Sequence, residues 1–188
     1  MVIHYFGDGC FRLQNGDVSL LVNPASNRLK ADVTLKTLTM TNVATPLPDE
    51  ISFPGEYEVK DIEIQGWPVT NESTDKFLKT VFLVTWDEMR FLFLGHLSKP
   101  LEAELVEEVG EPDVLFVPTG DPHFLPPADA AKLVKQLEPS LVIPAFAKNA
   151  NELVKAMGQK AEESSKLVFK KKDLAAKKRA LVILTPGT

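Results

Sequence analysis

The hydrophobic period of this chain changes halfway along, and that change constrains its fold more than any other feature. In the first half apolar residues recur every second position. Val18, Leu20 and Val22 alternate with Asp17, Ser19 and Leu21, and Asn15-Gly16 supplies the positive φ angles of a tight hairpin turn. Pro54-Gly55 marks another turn. After it Ile62, Ile64 and Trp67 alternate against Asp61, Glu63 and Gln65, as a half-buried strand requires. Residues 81–86 and 90–94 read as a second hairpin joined at Asp87-Glu88.

In the second half the period lengthens. Leu101, Leu105, Val106 and Val109 fall on one face of a short helix, with Ser98 placed to cap it and Gly110 to end it. Ala130, Leu133, Val134 and Leu137 make a similar stripe, opened by Pro126-Pro127 and closed before Pro139. Each helix is followed by a Glu-Pro pair and a short apolar strand, at 113–117 and at 141–143. Helix-strand alternation of this kind implies parallel strands with helices packed outside. A third helix over about 151–157 ends at Gly158, and strands near 167–169 and 180–184 finish the chain. The pattern predicts a mixed α/β domain.

At 188 residues the chain is expected to form one domain, residues 1–188, with an adequate core and no linker to divide it. Its 44% hydrophobic and 25% charged content is ordinary for a soluble protein. The single cysteine, Cys10, cannot form an internal disulfide, so nothing points to an oxidising compartment. No signal peptide is visible, and no apolar run is long enough to span a bilayer. The expectation is a cytoplasmic protein. A net charge of −5 argues against a general nucleic-acid binder.

Several stretches carry a family resemblance: LLVNP at 20–24, ADVTLKT at 31–37, PGEYEV at 54–59, FLFLGHL at 91–97, DVLFVPTG at 113–120, LEPSLVIPAF at 137–146 and KLVFKKKDL at 166–174. In this order they resemble the metallo-β-lactamase superfamily, specifically its small bacterial branch related to ascorbate-6-phosphate lactonase. The resemblance covers nearly the whole chain. It implies a four-layer αββα sandwich, two β-sheets face to face with helices on both outer faces.

The resemblance also implies a zinc hydrolase, in which one or two metal ions activate water and polarise the scissile group. Each zinc needs about three protein ligands from histidine, carboxylate or thiolate. In the family a strand like ADVTLKT runs into HxHxDH. Aligned there, the two histidines of HxH become Leu38 and Met40, the aspartate becomes Asn42 and the last histidine becomes Val43. The family's LGDL becomes Leu94-Gly95-His96-Leu97, and its closing Pro-x-His becomes Pro144-Ala145-Phe146. Asn23 stands where an aspartate usually sits behind the site, and Asn71 is the nearest candidate for the remaining ligand. The vestigial positions are thus Asn23, Leu38, Met40, Asn42, Val43, His96 and Phe146. Filling the cleft with Leu38, Met40, Val43 and Phe146 would convert it towards core. The expectation is a scaffold from which catalysis has been deleted, with no cofactor, acting as a binding or structural module. The rival is a hydrolase that is metal-free or holds zinc in an unorthodox site drawn from Asp8, His96, Asp121 and His123.

Each candidate also has a plainer reading. One histidine does not make a zinc site, so His96 reads as a hydrogen-bonded residue at a strand end. His123, in Thr119-Gly120-Asp121-Pro122-His123, lies on a loop between strand and helix; such loops border binding crevices, and many are only solvated. His4 reads as structural, Asp8 as part of a Gly-Asp-Gly turn, Cys10 as a small buried residue, and Glu56 and Glu58 as a solvated strand face. No catalytic residue is identified.

Charge is uneven. Glu102, Glu104, Glu107, Glu108, Glu111 and Asp113 cluster around the first helix, and Lys166, Lys170, Lys171, Lys172, Lys177, Lys178 and Arg179 cluster near the end. These are either two solvated surfaces or complementary patches of a symmetric homo-oligomer. The basic run is the one place suited to a small anionic ligand, nucleic acid or an acidic partner. No membrane partner is expected.

Overall fold

Period-two alternation folds the start of the chain into hairpins. The structure, a computed structural model, describes residues 1–42, 47–146 and 150–187, so Val43 lies outside the described residues. Strands β1 (Val2–Tyr5), β2 (Phe11–Asn15) and β3 (Val18–Val22) pair antiparallel, and β2 meets β3 across Gly16-Asp17, with Gly16 at φ 59. β4 (Val33–Leu35) and the short β6 (Glu50–Ile51) extend this sheet in parallel. Its far edge is β14 (Lys166–Val168), giving six strands in the order β14-β1-β2-β3-β4-β6.

The second sheet has nine strands. β7 (Gly55–Val59), β8 (Ile62–Pro68), β9 (Phe77–Trp86) and β10 (Met89–Phe93) form an antiparallel meander. Asp87 and Glu88 both adopt positive φ between β9 and β10, the geometry a two-residue hairpin needs. Then the chain turns to parallel crossovers through α1 (Ala103–Val109), β11 (Val114–Pro118), α2 (Pro127–Leu137), β12 (Leu141–Ala145), α3 (Asn151–Met157), β13 (Ala161–Ser164), the turn α4 (Lys171–Leu174) and β15 (Ala180–Leu184). The order is β13-β15-β12-β11-β10-β9-β8-β7, and β5 (Leu38–Met40) pairs with β9 off this path. No helix among the described residues is long and apolar enough to cross a membrane.

Two apolar layers follow from this arrangement. Between the sheets, Tyr5 stacks on Phe11 at 4.7 Å, Phe11 meets Phe116 edge-on at 4.7 Å, and Phe116 stacks on Phe93 at 4.3 Å. This aromatic run crosses from one sheet to the other within a cluster that also takes in Ile3, Leu13, Leu20, Phe82 and Phe91. On the opposite face of the nine-stranded sheet, Leu83, Leu92, Leu115 and Val117 pack against Val109, Leu133, Leu137 and Leu153 of α1, α2 and α3. Every residue of β11 and β12 is therefore buried, as parallel strands covered on both faces must be. The described helical cover is concentrated on this sheet; α4 contributes Leu174 to the cluster between the sheets.

Two local expectations are corrected. Ser98 does not cap α1, whose N-cap is Glu102; Ser98 instead donates to Glu72 through its backbone N–H and hydroxyl. Met40 does not enter the core. Pairing of β5 with β9 sets Met40 opposite Phe77 and turns both outward, at 50% and 42% exposure, while Thr39 takes the buried side. A one-residue difference in register exchanges the faces of a strand, and here it puts a threonine inside.

Candidate functional site

The ends of β3, β4, β10, β11 and β12 bring one polar chain and one aromatic stack together. Asn23 follows β3, Thr37 follows β4, and His96 follows β10. The Thr37 N–H donates to Asn23 Oδ1 at 2.9 Å, which identifies that atom as the amide oxygen. The Thr37 hydroxyl gives its proton to the same oxygen at 3.0 Å, so its lone pairs face His96 Nδ1, also at 3.0 Å. His96 therefore carries its proton on Nδ1 and leaves Nε2 with a free lone pair. Burial, aided by the charge of Lys79, lowers the His96 pKa from 6.5 to about 4, so the ring is neutral at physiological pH. Thr37 is fully buried, and a Cβ on Gly95 would lie 2.4 Å from the Thr37 Cβ. Glycine at 95 is what lets the strand end approach Thr37 this closely.

The aromatic part is built on Phe146. Its ring stacks on Phe124 at 4.4 Å and meets His96 at 4.7 Å. A Cβ on Gly9 would fall 2.2 Å from Phe146 Cζ, so the ring lies directly against the Gly9 backbone. Phe124 is delivered by the β11–α2 loop, which Thr119 closes by donating its hydroxyl proton to the Leu125 carbonyl at 3.1 Å. Asn23 and Phe146 both adopt left-handed backbone, at φ 49 and 58. That conformation costs an L-residue about 1–2 kcal/mol, and such strain concentrates where side chains must be held in place.

A second polar knot lies beside the first. Glu72 accepts from Lys79 Nζ at 2.7 Å, from the Ser98 hydroxyl at 2.5 Å, and from the Ser98 and Lys99 N–H groups at 2.9 and 2.8 Å. Burial pushes its carboxyl up, but these donors outweigh it and the pKa lies below the usual range. Glu72 thus ties the loop after β8 to the loop after β10.

The sequence-derived candidates are only partly gathered here. Asn23, His96 and Phe146 converge; Leu38 is half-buried, and Met40 and Asn42 are exposed. Asn71 is exposed, and so is His123, whose backbone N–H donates to Asp121 Oδ1 at 3.0 Å. Asp8 is exposed at φ 47 in its turn. Among the described residues no three His, Cys, Asp or Glu side chains are placed to hold a metal ion, and residues 43–46, 147–149 and 188 carry none of these side chains. A zinc ion does not fit the donors present. Sequence reasoning missed Thr37, Phe124 and Glu72; a threonine directly before the aligned loop and a glycine directly before His96 were the available signals.

An open crevice borders the stack. Pro144 has no N–H to give, and the β12–β15 ladder ends at Val142↔Leu181. Beyond that pair lies a cavity of about 380 Å³ lined by Tyr5, Asp8, Pro144, Phe146, Leu184 and Thr185, among others. Among the described residues Asp8 is its one charged lining side chain.

The fold has known counterparts. A protein from Thermotoga maritima, proposed as a Zn-dependent hydrolase of the metallo-β-lactamase superfamily, superposes with TM-score 0.80 at 25% identity, covering 97% of each chain. A metallo-hydrolase from Ignicoccus hospitalis matches with TM-score 0.66 at 18% identity over 100% of this chain and 96% of its own. The metallo-β-lactamase-fold protein YhfI from Bacillus subtilis matches with TM-score 0.67 at 9% identity, over 100% and 97%. No curated protein matches the chain. The β-lactamase superfamily domain matches residues 2–145, most of the sequence, and the chain belongs to that superfamily.

Proposed function

We propose that this chain is a non-catalytic member of the superfamily that works as a binding or structural module. The observation that carries this reading is the packing of Phe146 against Gly9, Phe124 and His96 at the strand ends where metal ligands would otherwise converge. The aligned HxHxDH positions, Leu38, Met40, Asn42 and Val43, supply no imidazole or carboxylate. Side chains take over the cross-linking of loops that a metal provides in a catalytic relative: Asn23–Thr37–His96 joins three strand ends and Glu72 joins two loops. The crevice beside Phe146 is the natural ligand site of such a module, since open α/β sheets bind ligands outside the carboxyl ends of their parallel strands.

Elemental analysis of protein purified without a histidine tag tests the reading. The expected content is far below one metal per chain; about one zinc, iron or manganese ion per chain, retained through desalting, overturns it. One observation favours a second reading, a metal-free hydrolase: the unprotonated Nε2 of His96 is a potential general base. Hydrolysis of p-nitrophenyl acetate that disappears in His96→Ala, with the fold intact, would support that alternative.

A further inference from the structure

The two free edges of the six-stranded sheet are unlike each other. At one end stands β14, which among the described residues pairs only with β1 and turns Val168 outward at 62% exposure. Lys166 and Lys170 flank Val168, and neither joins an ion pair among the described residues. At the other end, beside β6 and the open edge of β7, lies a groove of about 250 Å³. Val33, Pro48, Ile51 and Val59 make its apolar lining, and Asp32 and Asp49 its polar one. Asp32 is held by Lys60, whereas Asp49, and Asp61 beside Lys60 in the β7–β8 turn, have no ion-pair partner among the described residues.

We propose that this groove receives the β14 edge of a second copy of the chain. Val168 enters the apolar lining, and Lys166 and Lys170 face Asp49 and Asp61, so that copies associate head to tail. The glutamates of α1 are not the acceptor. Asp113, beside them, is ion-paired with Lys171 of the same chain at 2.7 Å, so that acidic patch adjoins the basic run within one molecule. Lysines beside an edge strand ordinarily blunt it against further pairing. Two β14 edges brought together would oppose like charges, but the β6 edge offers carboxylates. The same lysines therefore forbid the symmetric contact and permit the asymmetric one. A head-to-tail contact leaves one groove and one strand edge free at the ends, so growth continues unless the rotation closes a ring. None of the residues around His96 and Phe146 is used, and the contact stands whether or not that site is catalytic.

The test uses two variants of the whole chain, each disabling one surface. Val168→Asp acts on an exposed side chain, and Pro48→Lys/Asp49→Lys acts on two exposed positions, so each should fold; circular dichroism and thermal melting check this. Sedimentation velocity of the wild type should show reversible, concentration-dependent association that weakens with salt. Each variant alone should associate roughly tenfold or more weakly. An equal mixture should form a dimer and nothing larger, because Val168→Asp retains a groove and the other variant retains a strand edge. A wild type that stays monomeric at all concentrations overturns the proposal. So does a folded variant that associates as the wild type does, or a mixture that forms no dimer.

Discussion

His96 is a largely buried imidazole that desolvation and the nearby charge of Lys79 keep neutral, and this has a thermodynamic consequence. Its folded pKa of about 4 lies below its ordinary 6.5, chiefly through burial and secondarily through Lys79. Between those values the unfolded chain binds a proton that the folded chain refuses. Stability is thus fully present above pH 6.5 and is lost as pH falls towards 4, by about 3 kcal/mol in all. Urea titrations at pH 7 and pH 5 should show the wild type losing stability and His96→Gln losing much less over the same interval. An identical decline in both would mean that His96 is not the titrating group. The neighbouring stack makes an equally local prediction. Gly9→Ala places a Cβ into the Phe146 ring and puts alanine at φ 72, so it should be severely destabilising. Phe146→Ala removes a half-buried ring at a cost of about 2–3 kcal/mol. In the double variant the clash is gone and only the backbone strain remains, so the two costs should fall well short of adding. Additive costs in a double-mutant cycle would mean that the ring does not lie on Gly9.

At the scale of elements, β5 shows where sequence pattern stops being informative. Leu38-Thr39-Met40 offers two apolar residues around a polar one, and composition alone points Met40 inward. Its pairing with β9 decides otherwise, and that pairing is a tertiary fact with no local signature. Met40→Ala should therefore change the denaturation midpoint by no more than about 0.5 kcal/mol, as exposed sites do. Thr39→Val should be neutral or stabilising, because the buried Thr39 hydroxyl has no hydrogen-bond partner among the described residues. A large loss in Met40→Ala would restore the buried assignment. The hairpin at Asp87-Glu88 and the helices ending at Gly110 and Gly158 were legible because turn chemistry and apolar period agreed there, whereas the first hairpin turns at Gly16-Asp17, one residue beyond the Asn15-Gly16 pair, and Asn15 stays in β2. β13 and α4 were not, since Ala-Glu-Glu-Ser and Lys-Lys-Asp-Leu carry neither a stripe nor an alternation. Of the site, Asn23, His96 and Phe146 were legible through motif alignment. Phe124 and Glu72 were not, because each reaches the site from a loop whose path the fold determines.

At the scale of the whole molecule, the sandwich mouth is a set of loops from both sheets that must be held together. Among the described residues the fasteners are hydrogen bonds and an ion pair. Glu72 has the heaviest share, with its side chain only 2% exposed and its donors drawn from three residues on β9 and the β10–α1 loop. Glu72→Ala leaves Lys79 and two backbone N–H groups without their acceptor. It should cost about 3 kcal/mol, towards the low end for a broken buried pair because Lys79 retains 20% exposure. The loss should be local as well as global. Hydrogen exchange should accelerate at Val69–Ser73 and Ser98–Lys99 before it does so in β10 or β11. Chelator provides the contrast, because binding of a metal to the folded state would raise its melting temperature by mass action. EDTA should leave the wild-type melting temperature unchanged while Glu72→Ala lowers it. If EDTA lowers the wild-type melting temperature and added zinc restores it, a metal is holding the mouth and side-chain cross-linking is not its replacement. If EDTA does nothing and Glu72→Ala also does nothing, the loops are held by the Phe146 stack alone, and the polar knot is a consequence of their closure.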